Sequence, residues 1–293
     1  MLHKSKFVSE LAVASSSEAM EADTISKNGR SSKSQMSRGN ILSFFMIIIA
    51  SCIVFCGCEF FDNDNDNDDD DKKNVDESNY LLMEMTNDDK SCIKFEYDNQ
   101  NRITKVTNYN QEGDISSARV FVYNNAGELA SQIVDNFTYT CTKNGNKITF
   151  YSGGEIYVVI DLNAEGLPIK MDSDYYFIEY KYMNGNVSEF RGCWKESSCD
   201  NLTYTYDDKK SPFYYSKTPK WVLVYCLGYD IKNNTNKHSG NVEYDYYTYT
   251  YSYTYNEFGF PLTRTTTVKV MDLYDNEVDL GITETRTYKY EQK

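Results

Sequence analysis

Few side chains in this 293-residue chain are equipped for chemistry. There are two histidines: His3 lies in a polar leader, and His238 sits in "NNTNKHSGN", where it is expected to be a solvated loop residue. A Ser-His-Asp triad or a histidine-rich metal site therefore has almost no material. Glu243 and Asp245 share a strand face and would lie roughly 7 Å apart by strand rise, within the range of glycosidase carboxylate pairs. Such pairs are common on exposed sheets and carry little weight alone. Asp66, Asp68, Asp70 and Glu77 fall at positions 1, 3, 5 and 12 of a calcium-binding loop, but Asp71 stands where that loop requires glycine, so the run reads as a solvated acidic stretch. No phosphate-cradling glycine loop or zinc-protease signature occurs. The expectation is a non-enzymatic protein with no cofactor and no metal.

The elements that would position these residues begin after a processed N-terminus. Ile41 to Cys56, "ILSFFMIIIASCIVFC", is a nearly unbroken apolar run with Met36 and Arg38 before it and Gly57 and Cys58 after it. This is the layout of a bacterial lipoprotein signal, with residues 36–57 as the signal peptide and Cys58 as the acylated first residue. The run is shorter than the about 20 apolar residues of a spanning helix. Residues 1–35, polar and serine-rich, read as a leader of doubtful translation. Residues 58–79 read as the lipidated cysteine and a disordered tether, because ten acidic and two basic side chains in 59–79 repel one another. The acidic balance, −14 for the whole chain, argues against a nucleic-acid partner.

Residues 80–293 read as a single all-β domain. In "VEYDYYTYTYSYTYNEFG", Tyr247, Tyr249, Tyr251, Tyr253 and Tyr255 alternate with Thr248, Thr250, Ser252 and Thr254, which is strand periodicity. Tyr244 and Tyr246 have the other parity, and a bulge near Tyr246 and Tyr247 would absorb the slip. The tyrosine face is expected to be either half-buried core or a ligand face, since each ring carries a hydroxyl that needs a partner. Five cysteines follow Cys58: Cys92, Cys141, Cys193, Cys199 and Cys226. Cys193 and Cys199, in "RGCWKESSCD", are a possible disulfide in an exported protein, and the odd count leaves at least one thiol unpaired.

A short turn motif recurs: alternating apolar residues, then Asp or Asn, two spacers and a turn residue. It appears as "FEYDNQNRI", "FVYNNAGEL", "IDLNAEGLP", "YTYDDKKSP" and "YTYNEFGFP". Asp or Asn can accept from the backbone two residues on, and glycine supplies positive φ, so each motif is expected to reverse the chain. Asn184-Gly185 adds a two-residue hairpin signal. Ten to fourteen antiparallel strands in a long meander are expected, forming a curved sheet or a partly closed barrel with negligible helix. A membrane barrel needs an apolar outer face, yet "LTRTTTVKVMD" offers none on either side.

The "YDNQNRITKV" and "YNEFGFPLT" hairpins resemble the YD repeats of large secreted β-shell proteins. Together with the lipobox, the acidic tract and "YTYDDKKSPF", they resemble a family of Bacteroidota lipoproteins of unknown function with a porin-like fold. The resemblance covers most of residues 80–293 and implies the curved sheet or barrel, with no activity attached. It also implies a protein held by its lipid at the outer membrane and exposed on the cell surface. The function expected is a non-catalytic binding or scaffolding module for an envelope protein. A glycan-binding module of a polysaccharide-uptake system is the alternative, and a glycoside hydrolase the remote third.

Overall fold

Four of the five turn motifs close by the same set of hydrogen bonds. Asp98 Oδ1 accepts from Gln100 N at 2.9 Å and Arg102 N at 3.0 Å. Asn124 does the same for Ala126 and Glu128, Asn163 for Glu165 and Leu167, and Asn256 for Phe258 and Phe260. In each the fourth residue, Asn101, Gly127, Gly166 or Gly259, has positive φ and donates its N–H back to the carbonyl of the Asp or Asn. The side chain thus satisfies two turn donors while the left-handed residue lets the strand return.

The computed structural model describes residues 80–195, 199–242, 245–271 and 277–292. Cys58, the signal peptide, the tether and Glu243 lie outside the described residues, as does the side chain of Asp245. Within them run β1 (Tyr80–Asn87), β2 (Cys92–Tyr97), β3 (Ile103–Tyr109), β4 (Ile115–Tyr123), β5 (Leu129–Val134), β6 (Phe137–Asn144), β7 (Lys147–Ser152) and β8 (Glu155–Leu162). There follow β9 (Pro168–Asp172), β10 (Tyr176–Met183), β11 (Asn186–Trp194), β12 (Cys199–Tyr206), β13 (Thr235–Val242), β14 (Asp245–Tyr255), β15 (Pro261–Met271) and β16 (Glu277–Gln292). Each strand pairs antiparallel with the next, and β1 pairs with β16 from Tyr80 opposite Gln292 to Asn87 opposite Arg286, so the meander closes into a barrel.

The count exceeds the expected ten to fourteen because several reversals lack the motif. Asp135–Asn136 and Gly153–Gly154 make two-residue turns on positive φ alone, between the paired ends Val134–Phe137 and Ser152–Glu155. The expected bulge at Tyr246 and Tyr247 is also absent. Pairing runs unbroken from Val242 opposite Asp245 to Lys237 opposite Thr250, and Tyr246, inside β14, lies on the outer face opposite the ladder, where it is exposed.

The meander gives the barrel two distinct ends. Tyr80, Gln292 and every even-to-odd connection, including all the Asp/Asn motifs, lie at what we call the terminal end; the odd-to-even turns lie at the distal end. Tyrosines just before the terminal turns bond to the neighbouring strand. Tyr97 donates to Leu82 O at 2.8 Å, Tyr123 to Ile103 O at 2.9 Å and Tyr182 to Pro168 O at 2.6 Å. Cys193 and Cys199 face each other across β11 and β12 and are joined as a disulfide, whereas Cys92, Cys141 and Cys226 are free thiols.

Along the outer wall, opposite charges stand directly across the ladder. Lys94 meets Glu84 at 3.4 Å, Lys105 meets Glu96 at 3.0 Å, Lys181 meets Glu189 at 2.6 Å, and Arg191 meets Glu179 at 3.3 Å. Exposed pairs of this kind add little stability. Their consequence is environmental, because a cationic side chain facing lipid near mid-bilayer would cost about 2–4 kcal/mol.

Candidate functional site

A barrel of sixteen strands is too wide for its wall side chains to fill. The fifth turn motif supplies what fills it. Asp207 Oδ1 accepts from Lys209 N at 3.0 Å, as in the other motifs, but its second backbone donor is Asn234 N at 3.1 Å rather than the residue four positions on. The chain therefore does not reverse, contrary to the expectation for "YTYDDKKSP". Residues 207–234 pass into the lumen as a plug and return to β13.

The plug is built from its sequence. The Pro219 carbonyl accepts from Val222 N and Leu223 N and starts a single turn of π-helix, Val222–Cys226, in which Leu227 N donates to Val222 O. Gly228, with φ of 67°, ends it. Every residue from Trp221 to Leu227 is buried. Trp221 and Tyr225 pack on Phe150 of β7, and Phe213 and Tyr229 pack on Phe95 of β2. The signal for this in the sequence is "WVLVYCL", seven consecutive apolar residues between Pro219 and Gly228, in a domain whose strands otherwise alternate.

Between the plug and β12–β16 remains a cavity of about 110 Å³. Its wall includes Tyr251 and Tyr253 of the ladder, so the tyrosine face of β14 points into the barrel. Tyr253 donates to Thr235 O at 2.8 Å, Tyr251 Oη lies 3.0 Å from His238 Nδ1, and Tyr255 donates to Asp207 Oδ2. Tyr249 stacks on His238 with 4.5 Å between ring centres, and Tyr247 lies beside Tyr249 at 6.3 Å. Ser252 and Thr254, on the opposite face, are exposed.

His238 is thus no solvated loop residue. "TNKHSGNV" is β13, paired on both sides, and alternation sends Lys237 outward and His238 inward to 7% exposure. Burial, with the nearby Arg264 guanidinium adding to it, pushes the imidazole down to about 4, so the ring is neutral at physiological pH. Asp230, on the returning arm of the plug, accepts from Thr235 N at 2.8 Å and Thr235 Oγ1 at 2.9 Å. Burial outweighs those bonds and raises its carboxyl to about 6.

Arg264 and Arg286 are directly opposite on β15 and β16 and share one carboxylate. Glu284 accepts from Arg264 Nη2 at 3.1 Å and from Arg286 Nη2 at 2.6 Å. Arg286 Nε also donates to Asn87 Oδ1 at 2.7 Å, and the Arg264 guanidinium lies 4.9 Å from the centre of the Tyr251 ring. Among the described residues no three His, Cys, Asp or Glu side chains are grouped to hold a metal ion.

A second feature lies at the distal end. Of the large apolar side chains left exposed, Ile115, Phe137, Ile156, Tyr175, Trp194, Tyr246, Met271, Val278 and Leu280 belong to this end, while Val122, Ile169, Met183 and Leu262 stand at the terminal end. The nine of the distal end stand at or near strand ends or turns.

No protein-family model matches the sequence, and a search of curated proteins found no match. Among solved structures the chain is similar to a porin-like protein from Bacteroides uniformis, 14% identical over 73% of this chain and 97% of that one, with a TM-score of 0.45. It is also similar to a porin-like protein from Bacteroides vulgatus, 11% identical over 73% of this chain and 100% of that one, with a TM-score of 0.31. A Tc holotoxin pore from Photorhabdus luminescens is 8% identical over 72% of this chain and 15% of that one, with a TM-score of 0.20.

Proposed function

We propose that the protein is a non-catalytic binding module that works in water outside the cell, held to the outer membrane by a lipid on Cys58. Its distal rim is the surface that meets a protein partner. The observation that carries this reading is that, beside a wall of cross-strand ion pairs, nine of the exposed large apolar side chains gather at the end opposite Tyr80 against four at the Tyr80 end. Apolar surface concentrated at one end of a fold favours an interaction surface there, and Phe137, Tyr175 and Trp194 are aromatic side chains of the kind protein interfaces favour. The plug argues in the same direction, since Trp221, Leu223 and Tyr225 pack into the core and take up space that a channel would need.

The glycan-binding alternative would use the tyrosine face, or a tryptophan, to stack on sugar rings. Tyr251 and Tyr253 line a cavity of about 110 Å³ inside the barrel, which gives this alternative less support than the rim gives a protein partner. Two experiments test the proposal. Palmitate incorporation should depend on Cys58. Photo-crosslinking side chains placed at Phe137 and Ile156 in living cells should yield one discrete protein adduct, absent when the crosslinker replaces Thr254 on the wall. A chain that takes up no label, or crosslinks equally from rim and wall, contradicts the reading.

A further inference from the structure

The cavity between plug and wall is separate from the rim, and its chemistry is lopsided. Arg264 and Arg286 bring ten N–H donors to one patch, and the acceptors found for them among the described residues are Glu284 and Asn87. Arg264 Nε is buried without an acceptor. Glu284 is the one carboxylate the two guanidinium groups share and Asp230 the other carboxyl of the cavity, so once Asp230 holds a proton the pair carries one positive charge in excess, and buried cations are tolerated when an anion meets them. Beside this patch stand aromatic rings and hydroxyls, Tyr251 and Tyr253 among them, and the neutral ring of His238. We infer that the luminal cavity is a binding site for a small carboxylate, received by the Arg264–Arg286 pair with its aliphatic part against the tyrosine rings.

A guanidinium is suited to this because its planar fork matches the two oxygens of a carboxylate. The cavity is smaller than the roughly 150 Å³ void that accommodates benzene, so the ligand is of the size of acetate or lactate. One group opposes it. Asp230 lines the same cavity, and when ionised it repels an incoming anion. The other charged groups at the site are Arg264, Arg286 and Glu284, with Asp207 near Asp230, while His238 is neutral above about pH 4. Binding therefore tightens as pH falls from 7 towards 5 and Asp230 takes up a proton.

The test uses the intact chain and two isosteric probes, acetate and acetamide, followed by thermal unfolding at pH 5.5 and 7.0 with ionic strength fixed by chloride. The expected result is a rise in Tm of about 5–10 °C at a hundredfold excess of acetate over its Kd, larger at pH 5.5, with no rise for acetamide. Asp230→Asn should remove the difference between the two pH values. Arg264→Lys keeps the charge but loses the fork and should abolish the acetate effect, while Arg191→Gln on the outer wall should retain it. Should Arg264→Lys not fold, nuclear Overhauser effects from labelled acetate to the Tyr251 ring decide the matter in the wild-type chain. Equal stabilisation by acetate and acetamide, an acetate effect that survives Arg264→Lys, or the absence of any contact to Tyr251 would overturn the inference. None of these outcomes bears on Cys58 or on crosslinking at the rim, so the site and the anchored-module reading stand or fall separately.

Discussion

Asp207 N donates to Asn234 O at 3.0 Å, and Asn234 N donates back to Asp207 Oδ1 at 3.1 Å. Two residues that enclose the whole plug are thereby paired as if they were the ends of a tight turn. Asn234 Nδ2 and the Tyr255 hydroxyl also bond the same carboxylate, which ties the neck of the plug to β14. A 28-residue insertion is in this way set upon a hairpin position of the meander, and the pairing of β12 with β13 shows there, between Thr205 and Tyr206, the same one-residue shift that precedes the ordinary motif turns at Tyr97 and Tyr123.

Asp207→Ala should therefore act on the plug more than on the wall. It strands several donors that now meet a charged acceptor, each such bond contributing about 1.5–3 kcal/mol. The expected outcome is a loss of stability of roughly 3 kcal/mol in denaturant unfolding, with hydrogen exchange accelerated first in residues 207–234. Equal acceleration around the whole barrel would show that the neck is not a separate joint.

The plug is core, so truncating it should be as damaging as truncating the wall. Leu223→Ala removes a side chain exposed by only 2% and should cost about 2–5 kcal/mol. Thr254→Ala, on the outer face, should stay within about 0.5 kcal/mol of wild type. Matching losses for the two would place the plug outside the packed interior.

The tyrosine ladder admits a comparable test. Tyr253→Phe removes only the hydroxyl that bonds Thr235 O and should cost about 1 kcal/mol. Tyr251→Ser removes a ring from the lumen and should cost about 3–5 kcal/mol. A ladder that served as an exposed platform would show neither loss.

Two buried groups give opposed pH dependences. The Asp230 carboxyl is raised from 3.8 to about 6 in the folded chain, chiefly by burial, so the folded state holds a proton that the unfolded state has released between those values. Its contribution is complete below pH 3.8 and is lost as pH rises through about 6. His238 is lowered from 6.5 to about 4, also chiefly by burial, so its contribution is present above pH 6.5 and is lost as pH falls through about 4. Each is worth about 3 kcal/mol, and in the wild type they nearly cancel between pH 4 and 6. Asp230→Asn should leave stability rising with pH across that window, and His238→Phe should leave it falling. Parallel curves for both variants and wild type would mean that neither group titrates as its burial implies.

Glu284→Gln should be more severe than either. It leaves Arg264 and Arg286 buried side by side without their shared carboxylate, a loss of about 3–5 kcal/mol. A variant near wild-type stability would show that water already solvates that patch.

Turn chemistry is the part of this fold most legible in the sequence. Asp98, Asn124, Asn163 and Asn256 act locally, on donors within four residues, so their role follows from the motif alone. Strand alternation placed the tyrosines on one face and Thr and Ser on the other for the same reason. What local pattern could not supply was closure, because the pairing of Tyr80 with Gln292 joins the two ends of the domain. His238 reads as a loop residue because its neighbours Asn236 and Lys237 are polar, and an isolated inward residue in a polar strand has no composition signature. The Arg264–Glu284–Arg286 cluster depends on a cross-strand register that no window of sequence contains.

The most direct test of a plugged barrel that stands in water is phase partition of residues 80–293, made without the preceding segment, in a detergent that separates on warming. With its wall of ion pairs facing water, the folded fragment should remain in the aqueous phase with native circular dichroism. Folded fragment recovered in the detergent phase would mean that the wall itself seeks lipid, and the reading of the protein as an anchored, water-facing binding module would be wrong.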